Sequence, residues 1–160
     1  NMPHTRPTTD IAKEGLFNML QNRVQLEGAK TLDLFGGTGC ISYELASRGA
    51  TDLTIVEKDS IMLGFIKQNI EMLKIENVQL LQMDVFQYLS TCKNQYDIIF
   101  AGPPYALNTI DQLPKIIVEQ QLISPEGYFI LEHTPRNNYK TYPGYSFERN
   151  YGTTIFSFFE

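Results

Sequence analysis

The stretch that most limits what this chain can fold into is Thr31-Leu32-Asp33-Leu34-Phe35-Gly36-Gly37-Thr38-Gly39-Cys40. An apolar run carrying an acid near its end breaks into three glycines within four residues, and residues 41–48 then have the pattern of a helix. Strand, glycine turn and helix is the unit by which an open α/β sheet brings bare backbone against a nucleotide-like ligand. A dinucleotide-binding turn needs G-x-G-x-x-G, its last glycine letting the helix lie close to the strand. Gly37 and Gly39 fill the first two places, but Ser42 stands in the third. The acid also precedes the turn, at Asp33. A carboxylate there opposes a pyrophosphate and suits a cation such as the ammonium of a methionine moiety. These residues point to S-adenosylmethionine and away from NAD.

With 160 residues, 42% of them hydrophobic and 19% charged, the chain is expected to be a single domain over residues 1–160 with a substantial core. No apolar run approaches a membrane span, and no signal peptide is visible. Cys40 and Cys92 are the only cysteines, with no C-x-x-C and no clustered histidines. That pattern fits a reducing cytoplasm and argues against a structural metal. The net charge of −5 is unusual for a nucleic-acid binder, whose affinity comes largely from neutralised phosphates. Any RNA-facing surface must therefore be a local patch.

Residues 1–10, rich in Pro and Thr, read as an extended arm, with Thr8, Thr9 or Asp10 placed to cap a helix over residues 11–24. Strands follow at 53–56, 78–83, 96–101 and 127–132, separated by helices at 60–73, around 86–89 and at 111–120. The helix at 60–73 counts Ile61, Phe65, Met72 and Leu73 among its apolar positions. Residues 145–149 and 153–159 read as a hairpin turned at Asn150-Tyr151-Gly152. Such alternation predicts a mostly parallel sheet with helices on both faces and an antiparallel C-terminal hairpin at one edge.

Ligands of such sheets sit beyond the carboxyl ends of the strands. Four expected strands end in a notable group: Asp33, Glu57, Asp84, and the segment Gly102-Pro103-Pro104-Tyr105. Glu57 follows the glycines at about the spacing of a ribose-binding acid. Asp84 is placed to accept from an adenine amine with Val85 and Phe86 against the ring, or simply to cap the next helix. In the last group, consecutive prolines hold the preceding carbonyls rigidly. A fixed carbonyl beside an aromatic ring reads a flat base with an exocyclic amine: the ring stacks and the carbonyl accepts an N–H.

Asp33 to Gly39, Pro103-Pro104-Tyr105, Arg6-Pro7-Thr8-Thr9-Asp10, Glu14-Gly15-Leu16-Phe17-Asn18, Leu131-Glu132-His133 and Arg149-Asn150-Tyr151-Gly152-Thr153-Thr154 together resemble the RsmD family. The resemblance implies a Rossmann-like class I methyltransferase that carries a methyl group from S-adenosylmethionine to a guanine N2 amine in 16S rRNA, with a small-subunit assembly intermediate as the partner. It implies that Asp33, Phe35, Gly36, Gly37 and Gly39 hold the methionine part. Glu57, with Lys58 beside it, takes the ribose, and Asp84, Val85 and Phe86 take the adenine. Gly102, Pro103, Pro104 and Tyr105 form the catalytic segment, and Arg6, Pro7 and Thr8 lie near the base. Arg6, Lys13, Arg136, Lys140 and Arg149 make the candidate RNA-facing set.

The sequence departs from that family in two ways. The catalytic segment normally opens with Asp or Asn, and this chain has Gly102. Losing one transition-state hydrogen-bond partner lowers a rate by roughly a hundredfold to a thousandfold, so slow turnover is expected, or a module that binds cofactor and RNA without efficient transfer. A basic hairpin ahead of the Arg-Pro-Thr arm is also absent from the sequence, which is expected to weaken the hold on RNA. The diproline-tyrosine signal alone fits amino methyltransferases of DNA adenine or small molecules as well.

Overall fold

The computed structural model describes residues 8–104 and 107–160. Helix α1 (Asp10–Leu20) starts where Thr9 accepts the Ala12 N–H through its side chain at 3.2 Å, closing one of the donors that a helix start leaves open. Its buried residues, Ala12, Leu16, Phe17 and Leu20, recur at helical spacing. The helix stops short of residue 24: the N–H groups of Arg23 and Val24 both turn back onto the Leu20 carbonyl.

Strand and helix then alternate: β1 (Lys30–Leu34), α2 (Cys40–Ser47), β2 (Asp52–Val56), α3 (Ser60–Leu73), β3 (Val78–Leu81), α4 (Val85–Thr91), β4 (Tyr96–Ala101), α5 (Gln112–Glu119) and β5 (Ile123–His133). The tail forms β6 (Tyr145–Tyr151) and β7 (Thr154–Phe159). One sheet runs in the order β3-β2-β1-β4-β5-β7-β6. The first five strands pair parallel, and β7 lies antiparallel to both β5 and β6.

Successive strand residues point to opposite faces, so one strand feeds two cores. Ile98 and Ile130 pack with Leu16 and Phe17 of α1 and Leu45 of α2. Their neighbours Ile99 and Phe129 pack on the other face with Leu89 of α4 and Leu113 and Ile117 of α5. The chain winds outward from β1 to β3, then crosses back to lay β4 on the other side of β1. That reversal opens a crevice at the carboxyl ends of β1 and β4, where an open sheet takes its ligand. No helix among the described residues is long and apolar enough to cross a membrane.

Three local expectations are corrected. In α3 the apolar residues singled out are not the packed ones: Ile61 and Met72 are 70% and 71% exposed, and Phe65 and Leu73 are also exposed. Met62 and Ile66, one position along, carry the burial, so the helix is rotated relative to a reading from composition alone. Strand β5 begins at Ile123, ahead of residue 127, because its register against β4 shifts between Tyr96 and Ile98 and residues between Ile123 and Tyr128 bulge. The hairpin turn falls at Gly152-Thr153, since Asn150 and Tyr151 still pair with Ile155 and Thr154. Gly152, at φ 66°, supplies the left-handed residue the turn needs.

Tyr151 also explains Gly15. A Cβ at Gly15 would fall inside the Tyr151 ring, so α1 approaches the hairpin closely only because residue 15 has no side chain. Two of the stretches that carry the family resemblance, one near each end of the chain, are thus a single packing contact.

Candidate active site

Asp33 is the penultimate residue of β1 and only 2% exposed. Ser42, on the first turn of α2, donates its hydroxyl to Asp33 Oδ2 at 2.7 Å. The residue that spoils the dinucleotide pattern is therefore the one that holds the acid. Burial pushes the Asp33 carboxyl up to about 7; the Ser42 hydrogen bond opposes that rise and the nearby Glu57 charge adds to it.

The backbone between Asp33 and α2 is strongly bent. Phe35 takes φ 60°, Gly37 φ 58° and Gly39 φ 82°. A non-glycine residue held at positive φ is costly, by roughly 1–3 kcal/mol, and such residues cluster at ligand sites. Gly36 donates to the Val56 carbonyl at 3.1 Å, and a Cβ there would lie 2.5 Å from Ile55 Cγ2. Gly37 N–H donates to Glu57 Oε1 at 2.8 Å, and Asp59 N–H donates to Glu57 Oε2 at 2.9 Å. The acid at the end of β2 is thus clamped by the glycine bend of β1, with each oxygen oriented by one amide.

Asp84 follows β3 and caps α4: its Oδ2 accepts from Phe86 N–H at 2.9 Å and Gln87 N–H at 3.1 Å. Beyond β4, the prolines fix the carbonyls of Gly102 and Pro103, while the Pro104 carbonyl accepts the Leu107 N–H at 3.1 Å. Glu132, near the end of β5, accepts the Thr8 hydroxyl at Oε1, 2.6 Å away.

One cleft of about 860 Å³ collects these groups. Asp33, Phe35, Gly36, Gly37, Glu57, Lys58, Asp84, Val85, Phe86, Gly102, Pro103, Pro104 and Thr8 all line it. Gly39 is not on its wall: it sits at the N-terminus of α2, and its role is the turn itself. Arg6, Pro7 and Tyr105, also expected at the site, lie outside the described residues. Of the candidate RNA-facing residues, Lys13 pairs with Glu44 at 3.9 Å and the Arg149 guanidinium lies 4.7 Å from the Phe147 ring centroid. Glu132 was missed as a site residue, although it sits near the end of its strand as Asp33 does; the strand-end rule applied to β5 would have found it.

The cleft fits S-adenosylmethionine on physical grounds. A carboxylate buried as deeply as Asp33, paired with no Lys or Arg among the described residues, resists ionising unless a cation arrives. The methionine ammonium is such a cation, and Glu57 presents two oriented acceptor oxygens on the same cleft.

The Conserved hypothetical protein 95 family model matches residues 1–160. The chain belongs to the RsmD family. Among relatives of this RsmD-family chain is Ribosomal RNA small subunit methyltransferase D of Buchnera aphidicola subsp. Baizongia pistaciae, 29% identical over 147 residues, covering 87% of this chain and 74% of the relative. The Thermus thermophilus hypothetical protein TTHA0928 shares the fold at a TM-score of 0.88 and 23% identity, over 99% of this chain and 90% of that one. The Thermus thermophilus 16S rRNA N2 methyltransferase RsmC, solved in complex with AdoMet and guanosine, aligns at a TM-score of 0.74 and 25% identity, over 98% of this chain and 44% of its own. The class I methyltransferase fold read from the sequence is the fold observed.

Proposed function

We propose that this RsmD-family chain, acting as one domain, is an S-adenosylmethionine-dependent rRNA methyltransferase that modifies the exocyclic N2 amine of a guanine in 16S rRNA. The observation that carries the reading is the joining, in one cleft, of the buried Asp33 carboxylate with the fixed Gly102 and Pro103 carbonyls. The first is a cation seat and the second is an amine reader; few chemistries need both.

Asp33, oriented by Ser42, binds the ammonium end of the cofactor. Glu57, aligned by Gly37 and Asp59, accepts from the ribose. Asp84 and Phe86 border the adenine position, with Asp84 Oδ2 committed to the α4 cap. When bound, the cofactor supplies a methyl group on a sulfonium, whose departure leaves a neutral thioether. The Gly102 and Pro103 carbonyls accept the amine N–H groups, which draws the nitrogen lone pair out of conjugation and aligns it for in-line attack. Tyr105, by resemblance, stacks on the base. A small-subunit assembly intermediate is the proposed form of the substrate; the relatives' names support small-subunit rRNA as the substrate class.

Mass spectrometry of 16S rRNA from cells with and without the gene tests this: one N2-methylguanosine should vanish with the gene. An unchanged methylation pattern overturns it. The lack of a side chain at Gly102 favours, as a second reading, a module that binds cofactor and RNA with weak turnover. Binding of S-adenosylhomocysteine without methyl incorporation into any small-subunit RNA would select that reading.

A further inference from the structure

At the edge strand β6, two cations share one aromatic ring. Arg23 Cζ lies 4.4 Å and Arg149 Cζ 4.7 Å from the centroid of Phe147. Phe158 stacks on that ring at 4.4 Å and 11°, closing one face, so both guanidiniums come to the face left open. Like charges brought together in this way repel each other. Lys13 of α1 and Arg48, which lies over Phe17, are by contrast both paired with Glu44. Arg23 and Arg149 pair with no carboxylate among the described residues, although Glu27 and Glu126 share a hollow of about 280 Å³ with Arg23. Arg23 is exposed and Arg149 half-buried. Ring contact restrains a guanidinium without consuming its N–H donors. Arg149 gives one donor to the Glu148 carbonyl at 3.0 Å, and the rest of its fork remains.

The sheet sets where this pair stands. Phe156 pairs with Glu132 on one side and Arg149 on the other, so the three form one row across β5, β7 and β6. Cross-strand partners share a face, and two strand spacings put the Arg149 backbone about 10 Å from that of Glu132, a residue that lines the cleft. The cofactor acids Asp33, Glu57 and Asp84 belong to or follow β1, β2 and β3, whereas the amine-reading carbonyls follow β4. In the sheet order β6 lies beyond β4 and β5, on the base side of the crevice. We infer that Arg23 and Arg149 clamp a backbone phosphate of the rRNA, close to the nucleotide that enters the cleft. The inference rests on the proposed reaction and names the place where the RNA backbone is held outside the acidic wall. The planar fork of an arginine offers paired N–H donors to phosphate oxygens. A phosphate seated between the two guanidiniums replaces their mutual repulsion with two attractions.

Binding of a 16S rRNA transcript to the full chain, measured over a series of salt concentrations with S-adenosylhomocysteine saturating, tests this. The double variant Arg23→Gln, Arg149→Gln should bind about tenfold more weakly near 0.15 M salt, and its slope of log affinity against log salt should be shallower by about 1. Its S-adenosylhomocysteine affinity and melting temperature should match the native protein. In turnover, KM for the RNA should rise about tenfold while kcat holds, the mark of lost uniform binding. Arg23→Lys with Arg149→Lys keeps both charges and should restore the slope. Lys67→Gln with Lys93→Gln removes the same charge from exposed positions elsewhere and should leave the native slope. Equal losses in the two glutamine pairs reduce the effect to net charge and overturn the inference. A native slope retained in the arginine variant overturns it, as does a native protein with no measurable hold on the transcript. So does a loss that accompanies a lower melting temperature and is not restored by the lysine pair. If the pair governs RNA binding but no guanine is methylated, the proposed reaction falls and this inference stands. If guanine is methylated and the arginine variant binds RNA as the native protein does, this inference alone falls.

Discussion

Replacing Asp33 by asparagine should make the protein more stable and nearly useless as a binder, with both effects depending on pH. The carboxyl is raised from 3.8 to about 7, chiefly by burial. A carboxyl whose folded value lies above its unfolded value makes the native state hold protons more tightly, so stability from this group is full below about pH 4 and declines as pH rises to about 7. A shift of about three pH units at 1.36 kcal/mol each amounts to about 4 kcal/mol lost by pH 8. The asparagine side chain has no charge to desolvate and can still meet the Ser42 hydroxyl. At pH 8 the variant should therefore gain up to that amount, roughly 10 °C in melting temperature for a chain of this size, and the gain should shrink towards zero near pH 4. Ligand binding runs the other way, because the ammonium needs the ionised form. At pH 6 only about one native molecule in ten is ionised at this site, so calorimetry should find S-adenosylhomocysteine about tenfold weaker at pH 6 than at pH 8. In Asp33→Asn the affinity should be weak and flat across that range. A native affinity that does not change between pH 6 and pH 8, or a variant that melts lower than native at pH 8, would refute the account of Asp33 as a cation seat held at the expense of stability.

Three other perturbations test separate parts of the structure. Glu57→Gln puts an amide N–H against the Asp59 N–H and removes a charged ribose acceptor, so S-adenosylhomocysteine should bind about tenfold or more weakly by calorimetry. Gly15→Ala gains about 1 kcal/mol of helix propensity but forces a methyl into the Tyr151 ring, where overpacking costs about 1–3 kcal/mol. Denaturant melts should show net destabilisation in the native background and net stabilisation once Tyr151→Ser has cleared the space; a stabilised single variant would be the contrary result. Ile61→Gln and Met72→Gln should each change stability by less than about 0.5 kcal/mol, because both side chains are solvated. A loss above about 2 kcal/mol in urea titration would mean that this face of α3 is covered.

How much of this was legible beforehand depended on which physical signal each feature leaves in a sequence. Parallel strands buried on both faces leave continuous apolar runs, so 53–56 and 96–101 were found nearly to the residue. The acids at or near strand ends were found because topology alone sends them to one crevice. The orientation of α3 was not, since Ile61, Met62, Phe65 and Ile66 are apolar on two overlapping stripes, and only packing against the sheet decides between them. The bulge in β5 left no apolar signal either, because Ser124, Pro125 and Glu126 read as loop while the strand continues through them. Ser42 and Gly15 were legible as anomalies, but their partners, Asp33 and Tyr151, come from tertiary contact.

The same contacts account for an acidic protein in a family of RNA modifiers. Asp33, Glu57, Asp84 and Glu132 all line the one cleft. Such a wall favours a sulfonium and an ammonium and accepts from a neutral base, yet it opposes every phosphate that approaches. For an RNA substrate the backbone must then stay outside while a single base turns in, the arrangement used by enzymes that act on an unstacked nucleotide. Lys58 also lines the cleft, but further basic residues there would compete with the cofactor's positive groups for these same carboxylates. The net charge of −5 is thus consistent with RNA chemistry, provided that phosphate contacts are few and lie beyond the rim.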